Sequence, residues 1–168
     1  MGLEEHRSDA PKTLDVAVLS ISTTRSLETD DSGHWIVRGA KDQGHKVVFH
    51  DVIPDDEDAI RGAVTQVLAD QGPHAVIVTG GTGLSPLDVT IEAVKPLFAK
   101  ELSAFAVLFA RLSYEEIGSA AILSRAAAGI IGRSIVFCIP GSIKACKLAC
   151  NQLIFPELGH IIRHCRGN

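Results

Sequence analysis

Aromatic side chains are scarce: Phe, Trp and Tyr make up 5% of the 168 residues, with a single Trp and a single Tyr. Val, Ile, Leu and Ala must therefore fill the core, which suits a buried parallel sheet. No apolar run reaches the ~18–20 residues that cross a bilayer, so no membrane partner is expected. Only four cysteines occur, Cys138, Cys146, Cys150 and Cys165, with no Cys-x-x-Cys pair and no zinc spacing. They read as small buried hydrophobes. Positive charge is not in excess either. Sixteen Lys and Arg stand against twenty Asp and Glu, a net −4, which does not suggest a nucleic-acid surface. Residues 1–12 are polar and charged, without the apolar stretch of a signal peptide, so a cytoplasmic location is expected.

What is present is ample aliphatic material. The apolar fraction is 46% and the mean hydropathy is +0.21. The length suggests one domain over residues 13–168, after a flexible arm at 1–12. Strands are predicted at Leu14–Ile21, Lys46–Ile53, Ala75–Val78 and Ser134–Ile139. Helices are predicted between them. One runs from His34 to Gln43, one from Pro54 to about Ala69, and one from Val89 to Phe98 with Pro96 disturbing its end. Ser113-Tyr114-Glu115-Glu116 has the form of a capping box that starts another. Ile143 to Leu153 and a final helix restarted at Pro156 complete the chain. Alternating strands and helices predict a three-layer α/β/α domain with a mostly parallel sheet.

The stretch that organises this pattern is Thr79-Gly80-Gly81-Thr82-Gly83-Leu84-Ser85-Pro86-Leu87-Asp88. It follows a short apolar strand and contains three glycines in four residues. Glycine allows positive φ and close approach of a ligand to the backbone. Pro86 suits the first turn of a following helix, with Asp88 close by. A strand, exposed amides and a helix start form a physical site for phosphate. Two familiar nucleotide motifs do not fit. No Gly-Lys-Ser/Thr follows, and Pro86 occupies the third glycine place of Gly-x-Gly-x-x-Gly.

Other chemistry sits at predicted strand ends. Ser22-Thr23-Thr24-Arg25 follows the first strand, where ligands gather in open parallel sheets. Asp30-Asp31-Ser32-Gly33 precedes a helix and can cap it. Pro54-Asp55-Asp56-Glu57-Asp58 complements a helix dipole. Pro140-Gly141-Ser142 repeats the strand–turn–helix arrangement. Arg125 can meet an anion, a neighbouring subunit or a helix-surface acid. His160 and His164 are four apart on one helix, with no third ligand close in sequence.

Several of these motifs, in order and spacing, resemble one family. Thr79-Gly80-Gly81-Thr82-Gly83 with Pro86, Asp88 and Thr90 is similar to the first signature of the molybdopterin adenylyltransferases, the MoaB/MogA-like proteins. Pro140-Gly141-Ser142 with Lys144-Ala145-Cys146 is similar to the second, and the resemblance is nearest the MoaB branch. It implies a mixed sheet, a homotrimer or hexamer, and a role in molybdenum cofactor synthesis beside other proteins of that route. It also implies transfer of AMP from Mg-ATP to molybdopterin, with release of pyrophosphate. Asp30, Asp55 and Asp88 are then the implied catalytic and Mg²⁺-positioning residues. Gly80, Gly81, Thr82, Gly83, Ser85, Pro140, Gly141, Ser142 and Ser22 are the implied ligand-binding set. One segment departs: Ala104–Ala110 stands where the family carries Gly-Phe-Gly-Glu-x-x-Arg. Val107 replaces the glutamate and Ala110 the arginine. The alternative expectation is therefore a non-catalytic molybdopterin-binding member.

Overall fold

The computed structural model describes residues 11–166. The arm expected at 1–12 lies, apart from Pro11 and Lys12, outside them. Six strands form one mixed sheet in the order β2-β1-β3-β6-β5-β4. They are β1 (Asp15–Ile21), β2 (Lys46–Ile53), β3 (Ala75–Thr79), β4 (Lys100–Glu101), β5 (Ala127–Ile131) and β6 (Ser134–Ile139). The helices are α1 (Asp31–Asp42), α2 (Glu57–Gln71), α3 (Thr90–Val94), α4 (Ser103–Ile117), α5 (Ile143–Ala149) and α6 (Phe155–Arg166).

Strands β2, β1, β3 and β6 are mutually parallel, so all four end at one edge of the sheet. Period-two alternation divides their side chains between two cores. Val16, Val18, Ala75, Ile77, Ile135 and Phe137 face α1, α4, α5 and α6. Ala17, Leu19, Val76, Val78, Val136 and Cys138 face α2 and α3. The three layers follow directly. Both faces are covered, which is why the strands read as continuous apolar runs.

Some elements differ from the sequence expectation. The capping box at Ser113 does not form. Ser113 is buried within α4, on the same face as Phe109 and Phe105, four and eight residues earlier, and the helix starts ten residues sooner. Strands β4 and β5 were not anticipated. β5 pairs antiparallel with β6 through the tight turn Gly132-Arg133, where Gly132 has φ 61°. The final helix starts at Phe155 with Pro156 in its first turn, as expected, but without a break before it. The chain passes from α5 to α6 through a wide π turn at Cys150–Ile154, which accommodates a residue with no N–H to give. Pro86 lies outside any helix, because α3 starts only at Thr90. The helix expected from Val89 to Phe98 is α helical only to Val94 and tightens to a 3₁₀ turn at Lys95–Leu97, around Pro96. Cys138, Cys146 and Cys150 are buried as expected, and burial pushes the Cys138 thiol up to about 12.

Helix α1 begins where Asp30 caps it. Gly33 N–H donates to Oδ1 at 3.0 Å, and Oδ2 bonds His50 Nε2 at 2.8 Å. Asp30 is fully buried. Burial alone would raise its pKa. Hydrogen bonding from His50, the dipole of the adjacent Ser20 hydroxyl and the Gly33 amide outweigh that, and the carboxyl sits below its usual range. The Ser20 hydroxyl is itself buried and without a partner of hydrogen-bond geometry.

Two outcomes are expected. Asp30 binds protons more weakly folded than unfolded. Its stabilising contribution is thus present above the ordinary aspartate value of 3.8 and is lost as pH falls through the lowered native value. Urea midpoints measured down this range should fall more steeply in the wild type than in Asp30→Ala. At neutral pH that variant should already be destabilised by about 1–3 kcal/mol. An unchanged midpoint would exclude the cap as a stabilising element. The second outcome concerns Gly129 in β5, whose missing Cβ leaves room for the Phe98 ring: a Cβ there would stand 2.2 Å from it. Gly129→Ala should cost roughly 1–3 kcal/mol of overpacking, read as a lower urea midpoint at constant slope.

Candidate functional site

The edge where the four parallel strands end gathers most of the candidate residues. The loop after β3 packs directly against the end of β1. Gly80 has φ 101°, and a Cβ on it would lie 2.4 Å from the Ile21 carbonyl oxygen. Gly81 has φ 62°, and a Cβ there would meet Thr90 Oγ1 at 2.4 Å. Only glycine fits either place. Gly83 does not have positive φ. Its small size makes room for Asp88, whose Oδ2 would be 2.7 Å from a Cβ.

Thr90 closes this loop. Its hydroxyl donates to Gly80 O at 2.8 Å, and its N–H donates to Gly81 O at 2.9 Å. These bonds fix the start of α3 at Thr90 and leave residues 82–89 as a projecting loop. Asp88 therefore closes a turn. Its N–H donates to Ser85 O at 2.9 Å, and Oδ2 accepts from Ser85 N–H at 3.0 Å. The loop is also held from outside. Arg125 Nη1 donates to Gly83 O at 3.0 Å, and its Nη2 pairs with Glu92. Burial opposes the charge of Glu92, but the hydrogen bond from Arg125, a backbone hydrogen bond and the Arg125 charge together outweigh it, and the pKa lies below the usual value. Arg125 lies outside the helices, just before β5, and anchors the glycine loop.

The neighbouring strand ends complete the arrangement. Asp55, after β2, accepts at Oδ2 from both the N–H and the hydroxyl of Thr23, each at 2.8 Å. Its Oδ1 faces the glycine loop, 3.3 Å from where a Gly81 Cβ would be. Ser22 donates its backbone N–H to Ile53 O at 2.9 Å, tying the ends of β1 and β2, and its hydroxyl accepts from Arg25 N–H at 3.2 Å. After β6, Gly141 packs on Gly80, with only 3.0 Å between a Gly141 Cβ and the Gly80 Cα. Thr79 hydroxyl donates to Pro140 O at 3.1 Å, and Ser32 hydroxyl donates to Gly141 O at 2.8 Å. Ser142 caps α5 by accepting from Ala145 N–H at 3.2 Å.

The structure thus brings together Ser22, Asp55, Gly80, Gly81, Gly83, Ser85, Asp88, Pro140, Gly141 and Ser142 along one edge, with Thr82 buried beneath. Asp30 stands apart, its two oxygens turned inward to Gly33 and His50. Among the described residues no three His, Cys, Asp or Glu side chains converge as a metal cluster. Asp30, Asp55 and Asp88 therefore do not form one. An oxygen-rich edge with single carboxylates at Asp55 and Asp88 suits Mg²⁺, which takes one or two carboxylates and completes its shell with water and phosphate oxygens.

Thr23, Ser32 and His50 support the site but were not singled out in the sequence. Ser32 could have been found, since it belongs to the Asp30–Gly33 turn. His50 carries no sequence signal, being one histidine on a half-buried strand. The departing segment Ala104–Ala110 lies on α4. Phe105 and Phe109 point into the core, and Val107 is 68% exposed. Among the described residues the buried polar side-chain atoms without a partner, Ser20 Oγ and His45 Nδ1, lie outside this segment. A groove of about 730 Å³ lined by Leu68, Leu97, Arg133 and Arg166 shares no residue with the edge described. It lies at the opposite ends of the strands, so its size does not bear on this chemistry.

Comparison with known proteins agrees with this geometry. Residues 17–160 match the family described as "Probable molybdopterin binding domain". The chain is 45% identical over 167 residues to the molybdenum cofactor biosynthesis protein B of Bacillus subtilis, covering 99% of this chain and 98% of that protein. It is 40% identical over 172 aligned positions to the molybdopterin adenylyltransferase of Pyrococcus furiosus, covering 99% of each. A crystal structure of a molybdenum cofactor biosynthesis protein B superposes with a TM-score of 0.90 at 45% identity, covering 94% of this chain and 99% of that one. The chain belongs to the molybdopterin-binding family of molybdenum cofactor biosynthesis proteins.

Proposed function

We propose that the protein adenylylates molybdopterin. A terminal phosphate oxygen of the pterin attacks the α-phosphorus of ATP. The bond from that phosphorus to the bridging oxygen breaks, pyrophosphate leaves, and a phosphoanhydride to AMP is formed. The observation that carries this reading is the glycine loop held open between Asp55 and Asp88 at the shared strand ends, beside Pro140–Ser142. The name of the Pyrococcus relative supports the same chemistry.

The protein needs no nucleophile of its own, because the substrate phosphate attacks. Its work is positioning and charge neutralisation. Backbone amides of Gly81 and Gly83, with Thr82 and Ser85, cradle phosphate oxygens, while Gly80, whose N–H donates to Ile139 O at 2.9 Å, shapes the start of the loop. Mg²⁺, when bound, would neutralise charge on the transferring and leaving phosphates. Asp55, through Oδ1, and Asp88 are the residues that would hold it. Thr23 fixes Asp55 by occupying Oδ2 twice, so the free oxygen is aimed at the loop. Asp30 acts at one remove. It caps α1, and α1 carries Ser32, which holds Gly141 in place.

The non-catalytic alternative rested on Val107 and Ala110. Neither is joined by a described hydrogen bond to the strand-end residues, and Val107 faces solvent. The exposed Leu84, Leu87, Ile122 and Leu123 are 59–86% accessible and lie on the loop and on the segment leading to Arg125. Such a band supports a homo-oligomer, as the trimer or hexamer expectation requires.

The direct test is pyrophosphate release by the purified protein with molybdopterin, ATP and Mg²⁺. Release should depend on the pterin, and Asp88→Ala should lower turnover by about 100-fold or more with an unchanged urea midpoint. Turnover within about threefold of wild type would remove Asp88 from its role. Molybdopterin binding without any release would favour the non-catalytic reading.

A further inference from the structure

The end of α6 carries a feature that the adenylylation chemistry does not use. His160 and His164 direct their Nε2 atoms at one another across 3.0 Å, with ring centroids 4.8 Å apart and planes at 65°. Two nitrogens on one ion, each at about 2.0–2.1 Å, stand roughly 2.9–3.4 Å apart for angles between square and tetrahedral. The observed separation falls in that range. His160 Nδ1 lies 3.2 Å from the Glu157 carboxylate. That contact favours the tautomer with the proton on Nδ1, leaving a lone pair on Nε2, as a carboxylate behind a metal-binding histidine does.

We propose that His160 and His164 form a two-imidazole site for a borderline divalent cation of the Zn²⁺, Ni²⁺ or Cu²⁺ type, oriented by Glu157. The donor set is wrong for Mg²⁺, which prefers oxygen. Water completes the coordination. The pair opens on a groove of about 560 Å³ lined also by Lys100, Glu101, Leu102 and Cys165. Glu101 is engaged by Lys95 at 2.9 Å and is not counted as a ligand. Cys165 lines the groove but is not counted either, since among the described residues no third His, Cys, Asp or Glu converges with the pair.

The location separates this site from the first. The groove includes Ile130 and Gly132, and β6 runs from Ser134 beside this turn to Ile139 beside Pro140. It therefore lies at the opposite end of the sheet from the glycine loop. A cation here would brace the last turns of α6 and would take no part in adenylylation.

The test uses full-length protein freed of any polyhistidine tag and stripped with a chelator. Calorimetric titration with Zn²⁺ should give one saturable equivalent per chain, and Mg²⁺ should not compete. His160→Ala and the exposed His164→Gln should each weaken Zn²⁺ at least about 10-fold, and Glu157→Gln about 10-fold. Zn²⁺ should raise the melting temperature of wild type and leave that of His164→Gln unchanged. Cu²⁺ bound to wild type should show nitrogen coupling in its electron paramagnetic resonance spectrum. Absence of saturable binding, or binding undiminished in both histidine variants, would overturn the assignment. The contact would then be a plain imidazole–imidazole hydrogen bond.

Discussion

The structure depends on one close approach. Backbone at Gly80 passes so near the Ile21 carbonyl and Gly141 that no side chain can stand between them. That contact draws the ends of β1, β3 and β6 together, and the parallel register already brings them to one edge. Every other part of the site is placed relative to it. Thr90 closes the loop from below, Arg125 holds it from the side, and Gly141 covers its start. A phosphate needs several amide donors turned toward one point at short range. A loop with side chains at Gly80 or Gly81 could not supply them without parting the strands.

Around that contact the carboxylates divide their work. Asp55 and Asp88 lie on the loop edge, each with an oxygen committed to a neighbouring donor, Thr23 or Ser85. A carboxylate fixed through one oxygen presents the other with little freedom left to lose. Asp30 commits both oxygens inward and holds a helix start. Three acids that look equivalent along the chain are therefore not equivalent in space. The difference comes from whether the surrounding donors sit beneath the residue or beside it.

Much of this was legible in the sequence. All four parallel strands were bounded to within a residue because their β-branched runs end in glycine, proline or polar clusters. The glycine loop announced itself by composition. What could not be read was pairing across long distances. β5 reads as Ala-Ala-Gly-Ile-Ile, too poor in β-branched residues to stand out, and it becomes a strand because β6 offers it an edge. Ser113 matched a local capping pattern, but burial of Phe105, Phe109 and Ser113 along one face took precedence over it. His50 is the same case in the site itself. Only the fold brings it to Asp30, twenty residues earlier in the chain.

The dispersal of the acids also says something about the metal. A site that gathered three carboxylates would hold a hard cation before any nucleotide arrived, and would cost repulsion among its own charges when empty of it. Asp55 and Asp88 on opposite flanks of the glycine loop avoid that repulsion. They offer too few ligands to keep Mg²⁺ tightly alone, since that ion retains water and binds chiefly where phosphates complete its shell. Cation and nucleotide would then enter together, each supplying what the other lacks. The glycine loop is the part that makes this economical. In the proposed reaction its amides would neutralise phosphate charge without adding a fixed cation, so the same edge would be able to accept a second phosphate, that of the pterin, once the first is in place.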